Sequence, residues 1–305
     1  MEPKNILAAL MVVMVWGLNF VAMKTAFVEV PPFLFLFLRL ALTAFPLILF
    51  LPKPNVPLSS MLWIGLFQWT FHFSLLFTGM YIGLSGGITA LIMQCHVIFT
   101  IIMTVIYFKV KPTALQMLGL AVSFSGLVLL TTHGDCSANW LGILLVIAGA
   151  FAVAVSNILY KTLPKDVNMP SMIVWSSAFA VPQAAVLSLS LEGWDAITAS
   201  LTSITMPTII AILYTVFIST MVGIVTWAKL MQSPESVKAL PFTLLVPVVA
   251  LTAGHYMMAE QVGWLDIIAS AIIISGLLIN QISSIRKAKV VVLESEEQEP
   301  MKKAA

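Results

Sequence analysis

SPESVKALPFTLLVPVVALTAGHY, from Ser233 to Tyr256, is apolar enough to cross a bilayer, yet Pro241 and Pro247 interrupt the run. A proline inside a helix removes a backbone donor and crowds the carbonyl four residues back. This predicts a discontinuous helix with unpartnered carbonyls around Val237 and Thr243. In hydrocarbon such groups must be met by protein or by a water-filled cavity. Interrupted spans near the midplane mark transport sites, which makes Pro241, Thr243 and Pro247 candidate substrate-binding residues. The plain alternative is a structural kink packed against neighbouring helices. The first half holds a partner stretch, Gly87 to Thr104.

Outward from this stretch, the whole chain reads as membrane-embedded. It is 60% hydrophobic and 9% charged, with mean hydropathy +1.03, which excludes a soluble core and implies a polytopic membrane protein. Ten apolar windows follow one another: 5–27, 33–51, 61–82, 87–108, 115–132, 141–160, 172–191, 207–230, 237–258 and 264–282. The loops between them leave no room for a soluble domain. The first window lacks a small-residue cleavage site and reads as a retained anchor. With the amino terminus inside, nearly all lysines and arginines fall on inner loops and ends, as the positive-inside rule requires. Both termini are then cytoplasmic. Lys24 and Arg39 are the exceptions, inside spans toward the outer side. The outer loops carry Glu29, Asp135, Glu192, Asp195, Glu260 and Asp266. Cys95, in a span, and Cys136, in an outer loop, make no disulfide framework and have no metal-ligand company. After Arg286 the charged tail reads as a solvated, disordered end.

The two halves repeat. Trp16, Asn19, Phe20 and Met23 share a helical face in the first span, which ends near Lys24. The sixth span presents Ser156, Asn157 and Tyr160 and ends in Lys161. AVSFSGLVLL (121–130) parallels AIIISGLLIN (271–280). Two five-span halves joined by a short loop must come out inverted, giving residues 1–134, residues 137–285 and a tail from 286 to 305.

This ordered set resembles the drug/metabolite transporter superfamily, and within it the bacterial EamA-type permeases. The set is WGLNF and Lys in span one, an Asn-bearing span six, LPFTLLVPVVALTAG followed by Glu260, and Ser-Gly in spans five and ten. The resemblance covers roughly Leu7 to Ile282. It implies an all-α carrier of ten transmembrane helices, two inverted repeats of five, with spans one to four and six to nine around a cavity and spans five and ten packed together. It further implies an inner-membrane exporter or exchanger of amino acids, cysteine-pathway intermediates or aromatic amino-acid metabolites, working by alternating access. One departure stands out. The family often places Gly-Glu after spans four and nine; here the second half has Ala259-Glu260 and the first has Lys109-Val110-Lys111.

Candidate binding residues are the buried polar and aromatic side chains. Gln68 and His72 are four apart and share a face, whereas Gln94 and His96 point in different directions, so at most one of them should face a common cavity. Arg39 either snorkels outward to Glu29 or captures a substrate carboxylate. Trp16, Trp175, Tyr214 and Trp227 either line a cavity or simply pack. Since no Asp or Glu lies mid-span, proton coupling would fall to His72, His96 or Lys24. There is no HExxH, GxSxG or phosphate loop, so no enzyme, cofactor or metal is expected. The expected partners are a small-molecule substrate and the lipid bilayer, without nucleic acid; a monomer suffices. A multidrug carrier of the same fold is one alternative, and a non-transporting receptor or scaffold is another.

Overall fold

A computed structural model describes residues 2–109, 112–133, 139–164, 166–232 and 239–303. These form helices joined by short connections, with no strand among the described residues. Eight helices are long and apolar enough to cross a membrane: α1 (Pro3–Ala26), α3 (Leu58–Tyr81), α4 (Gly86–Phe108), α6 (Trp140–Lys161), α7 (Met169–Ser203), α8 (Met206–Trp227), α9 (Pro241–Met258) and α10 (Trp264–Ser283). Two shorter apolar helices, α2 (Pro32–Ile48) and α5, whose apolar part is Ala114–Leu130, complete the bundle. Beyond its apolar part, α10 continues as helix to Lys303.

The largest helix contacts come in pairs related by exchange of α1–α5 for α6–α10. Helix α1 lies on α8 and α9 while α6 lies on α3 and α4; α2 packs on α7, α4 on α9 and α5 on α10. Small residues permit the close approaches, as membrane interfaces require. A Cβ at Gly119 would stand 2.6 Å from the Gly276 carbonyl oxygen, and one at Gly126 2.9 Å from the Ile273 nitrogen. The Ser123 hydroxyl donates to the Ile273 carbonyl across the same seam at 3.3 Å. Gly17 of α1 and Gly87 of α4 seat Val249 and Leu251 of α9 in the same way.

The prolines of α9 do not break it in the middle. A 3₁₀ turn, Leu240–Leu245, leads into regular helix from Val246 to Met258, and each proline stands in the first turn of its segment. There a missing N–H costs nothing, because the first donors of a helix have no partner within it. The Thr243 carbonyl is not orphaned: it accepts from the Val246 N–H. Val237 lies outside the described residues, as does Cys136. The partner stretch is interrupted nearer its centre and without a proline, at Gln94, between Gly86–Met93 and Cys95–Phe108. A second matched pair of irregularities is the π-helical turns Gly65–Phe71 in α3 and Tyr214–Gly223 in α8. In the latter the Thr220 hydroxyl donates to the Thr215 carbonyl at 2.8 Å.

Candidate functional site

A cavity of about 470 Å³ opens between the two halves. Of the residues singled out from the sequence, Trp16, Asn19, Phe20, Arg39, Gln68, His72, Gln94, His96, Asn157, Tyr160, Trp227 and Pro247 line it. Trp175, Tyr214, Pro241, Thr243 and Lys24 do not. The Trp175 indole donates to the Leu51 carbonyl at 3.1 Å, and the Tyr214 hydroxyl to the Val15 carbonyl at 2.9 Å. The first ties α7 to the segment after α2, and the second ties α8 to α1.

Gln94 and His96 both reach the cavity, contrary to the expectation from helical spacing. The helix is interrupted between them, with Gln94 at the end of one segment and His96 in the first turn of the next. The 100° step per residue that would have separated their directions does not hold across that joint. Similarly, Trp69, Phe73 and Leu76 join Gln68 and His72 in the wall. The π turn at Gly65–Phe71 changes the period there, and two adjacent stripes of α3 share the surface. Spacing of 69, 73 and 76 was the available signal for them, but it reads equally as core. Met93 and Ser219 were not singled out either; nothing in their local sequence separates them from packing residues.

Arg39 is 5% exposed. Its guanidinium stacks 4.0 Å over the Phe73 ring and donates from Nη2 to the Thr220 hydroxyl at 3.2 Å. Nε and Nη1 are buried without a partner, and no carboxylate pairs with Arg39 among the described residues. The outward reading toward Glu29 fails because that carboxylate is engaged elsewhere. It accepts from the Thr205 N–H at 2.8 Å and the Thr205 hydroxyl at 2.7 Å, which hold its pKa below the ordinary carboxylate value. An uncompensated buried cation costs several kcal/mol. Arg39 is therefore a group that an anion in the cavity would stabilise.

The remaining polar wall is neutral. The Gln68 carbonyl oxygen accepts from the Ser156 hydroxyl at 2.5 Å, and the Asn157 amide donates to the Thr100 hydroxyl at 3.1 Å. His72 Nδ1 faces the Gln68 backbone carbonyl at 3.2 Å and His96 Nδ1 faces that of Met93 at 2.8 Å. A carbonyl only accepts, so each Nδ1 carries the proton, and in the neutral form of either ring Nε2 is an acceptor. Asn19 Oδ1 and Gln94 Nε2 are buried without partners. The Trp16 indole donates to the Ser219 carbonyl at 3.2 Å, and its ring lies 5.7 Å from that of Trp227. Among the described residues no Asp or Glu lines the cavity and no cluster of metal ligands occurs.

Beyond the cavity, Lys24 Nζ pairs with Glu260 Oε1 at 2.9 Å. The same oxygen accepts from the Gly86 N–H at 3.0 Å, at the start of α4. A helix N-terminus favours an anion, so Glu260 ties α1 and α4 of the first half to the end of α9.

The profile of the EamA-like transporter family matches residues 3–132 and 140–281. A "Probable amino-acid metabolite efflux pump" of Salmonella typhimurium is 35% identical over 286 residues, covering 92% of this chain and 95% of that protein. A protein of the same description from Escherichia coli is 34% identical with the same coverage. An uncharacterized transporter of Archaeoglobus fulgidus is 26% identical over 269 residues, with 87% and 94% covered. A crystal structure with 14% identity superposes with TM-score 0.60, covering 92% of this chain and 99% of that one, a likeness of fold.

Proposed function

This chain belongs to the EamA-like transporter family, and from that membership we propose that it exports or exchanges small carboxylate-bearing metabolites derived from amino acids. It is a multi-pass membrane transporter and not an enzyme. The observation that carries the substrate reading is Arg39: a buried cation in the wall of the cavity with two unpartnered donors and no protein anion. A planar guanidinium engages a carboxylate through paired N–H donors, and the name shared by two relatives, amino-acid metabolite efflux pump, agrees with such a solute.

The proposed frame is ten membrane-crossing helices in two inverted repeats of five, with both termini cytoplasmic in the inner membrane. The exchange-symmetric packing supports it, as does the distribution of lysine and arginine. Transport would proceed by rocking one repeat against the other around the cavity. Lys24, held by Glu260, is a closing contact in this scheme. The Nε2 atoms of His72 and His96 are the proton acceptors at the cavity wall; a His72→Gln/His96→Gln protein that still concentrates substrate against its gradient excludes them as carriers.

The deciding experiment is counterflow in proteoliposomes loaded with one amino acid or related metabolite at a time, comparing wild type with Arg39→Gln and Asn19→Ala. Saturable exchange of a carboxylate solute, lost on Arg39→Gln, is the expected result. Exchange that ignores Arg39, or is confined to uncharged or cationic drugs, overturns the carboxylate reading in favour of a multidrug carrier. The aromatic wall of Trp16, Phe20, Trp69 and Trp227 is the feature that favours that second reading.

A further inference from the structure

Two crevices open on the outside of the bundle and share no lining residue with the cavity. One, of about 600 Å³, lies between α9 and α10, and the other, of about 520 Å³, between α4 and α5. Exposed apolar side chains surround both, Val248, Met257 and Ile267 at the first and Ile102, Ile106 and Met117 at the second. On helices long and apolar enough to span a bilayer, such surfaces face hydrocarbon. Helix α9 packs on α1 and α4, and α10 on α5, so the space between α9 and α10 is left to the bilayer.

The pair is built on the sequence repeat. Each lining residue of one crevice has its counterpart 150 positions away in the other, Ile98 with Val248 and Ala121 with Ala271 among them. The chemistry nevertheless differs. Where the α4/α5 crevice has Ile102, Val105, Ile106 and Leu120, the α9/α10 crevice has Thr252, His255, Tyr256 and Ser270. The α4/α5 crevice is lined by apolar side chains alone, and lipid tails fill it without loss, since they are as apolar as Leu or Ile. Tails cannot meet hydroxyls and an imidazole. We propose that the α9/α10 crevice is a site for one zwitterionic phospholipid, its acyl chain against Leu251, Ala271 and Ile274 and its glycerol–phosphate end at His255 and Tyr256.

The polar groups are accessible to such a ligand. Thr252, His255 and Tyr256 are all exposed. His255 Nδ1 faces the Glu260 carbonyl at 3.0 Å, which in the neutral ring leaves Nε2 as an acceptor. The Thr252 hydroxyl donates to the Val248 carbonyl at 2.8 Å and keeps its lone pairs. Tyr256 and Trp264 are 81% and 69% exposed, and such amphipathic rings collect at headgroup level. Thr252 stands six residues before Met258, the last of α9, about 9 Å along the axis and so below that level. Water can serve the helix end, but only a phospholipid brings a chain for the apolar floor and polar groups for the rim together. Among the described residues no Lys or Arg lines the crevice. Basic groups select anionic headgroups, so a headgroup without net charge is the fit.

The test is native mass spectrometry of the full chain in detergent, titrated with dioleoyl phosphatidylethanolamine, phosphatidylcholine or phosphatidylglycerol. Wild type should bind its first phosphatidylethanolamine or phosphatidylcholine more tightly than phosphatidylglycerol. The Thr252→Ile/His255→Val/Tyr256→Ile protein, which carries the residues of the matched crevice, should bind that first lipid about 10-fold more weakly, the scale of one hydrogen bond to a charged group. Ala271→Trp, filling the crevice from α10, should give a similar loss, and Ala121→Trp in the matched crevice none. The reverse exchange, Ile102→Thr/Val105→His/Ile106→Tyr, should add a second tight site. Equal first-lipid affinity in wild type and the triple variant assigns the polar rim to water and overturns the site. A preference for phosphatidylglycerol overturns the neutral headgroup, and a mass of two chains with no lipid bound gives the crevice to a second copy of this protein. The comparison among lipids uses wild type alone, so it holds even where a variant does not fold.

Discussion

The two ends of the bundle are built from matching helices but are fastened differently. Where α1, α4 and α9 meet, Glu260 accepts from both Lys24 and the Gly86 N–H. Two more carboxylates stand on helix starts across the halves: Glu29 on Thr205, just ahead of α8, and Glu192 on the Phe33 and Leu34 N–H groups of α2 at 2.6 and 2.8 Å. At the opposite end the matching pair of helices, α6 and α4, is joined by Lys161 Nζ donating to the Thr104 hydroxyl at 3.0 Å. The backbone repeats even where the chemistry does not. Ala259, closing α9, and Lys109, closing α4, are both left-handed, with φ of 52° and 55°. The sequence puts Glu260 after the first and Val110 after the second. The lesson is that the fold supplies equivalent positions at both ends, and the residue types placed there decide how each end is tied together. The first end has charge on both sides of its contact or a carboxylate on a helix N-terminus, whereas the second sets an ammonium against a neutral hydroxyl.

The comparison breaks most readily at Glu260. Glu260→Gln leaves Lys24 without its anion in a partly buried site, the Lys24 and Glu260 side chains being 23% and 8% exposed, and the loss falls below the fully buried case, at about 1–3 kcal/mol. The expected readout is a large rise in maleimide labelling of a cysteine placed at Phe20 on a background without native cysteines, probed from the Glu260 end. Unchanged labelling would mean that the ion pair does not hold this end closed.

Lys24→Met should act in the same direction but less strongly, since Glu260 keeps the Gly86 N–H and the favourable end of α4. A double-mutant cycle with Glu260→Gln should give a coupling of about 1–3 kcal/mol in thermal unfolding, in the range of close residues in one network. Additivity of the two changes would show that the groups do not interact.

Thr104→Asp sharpens the contrast from the other side by giving Lys161 an anion. Lys161 is exposed, and such pairs contribute about 0.2–1 kcal/mol. Counterflow should slow by a few-fold at most as the second end becomes harder to open; faster exchange would contradict the assignment.

The smallest effect concerns pH. Glu29 has its pKa lowered by the backbone and hydroxyl bonds from Thr205. The carboxylate form is thus favoured in the folded protein, and its contribution is present above the ordinary carboxylate pKa and is lost as pH falls through the lowered folded value. Glu29→Gln should flatten the acid limb of the melting temperature below the ordinary carboxylate pKa of about 4.3 without altering neutral pH behaviour; an identical acid limb in the variant would assign that limb to other groups.

Much of the fold was legible because hydropathy and charge are local sums. Ten apolar windows, a repeated Ser-Gly seam and the family order needed no tertiary information. The site was legible in part. Asn19, Gln68, His72 and Asn157, expected to face protein or a cavity because an amide or imidazole inside a span must do so, line the cavity. Trp175 and Tyr214 could not be placed, since an aromatic ring in a span packs or lines a pocket with the same spacing. Gln94 and His96 were separated by a periodicity that the interrupted α4 does not keep.

The sequence by itself determined that this chain lives in a bilayer, that its halves repeat, and that no carboxylate lies at mid-span, because these follow from composition and order alone. Only the tertiary structure decided that Arg39 turns inward over Phe73 and away from Glu29, that Pro241 and Pro247 begin helical segments without breaking one, and that Lys24 belongs to Glu260. The Arg39 and Lys24 placements depend on partners more than a turn of helix away, and pairings across the bundle are set by which helices pack together, which no local pattern encodes.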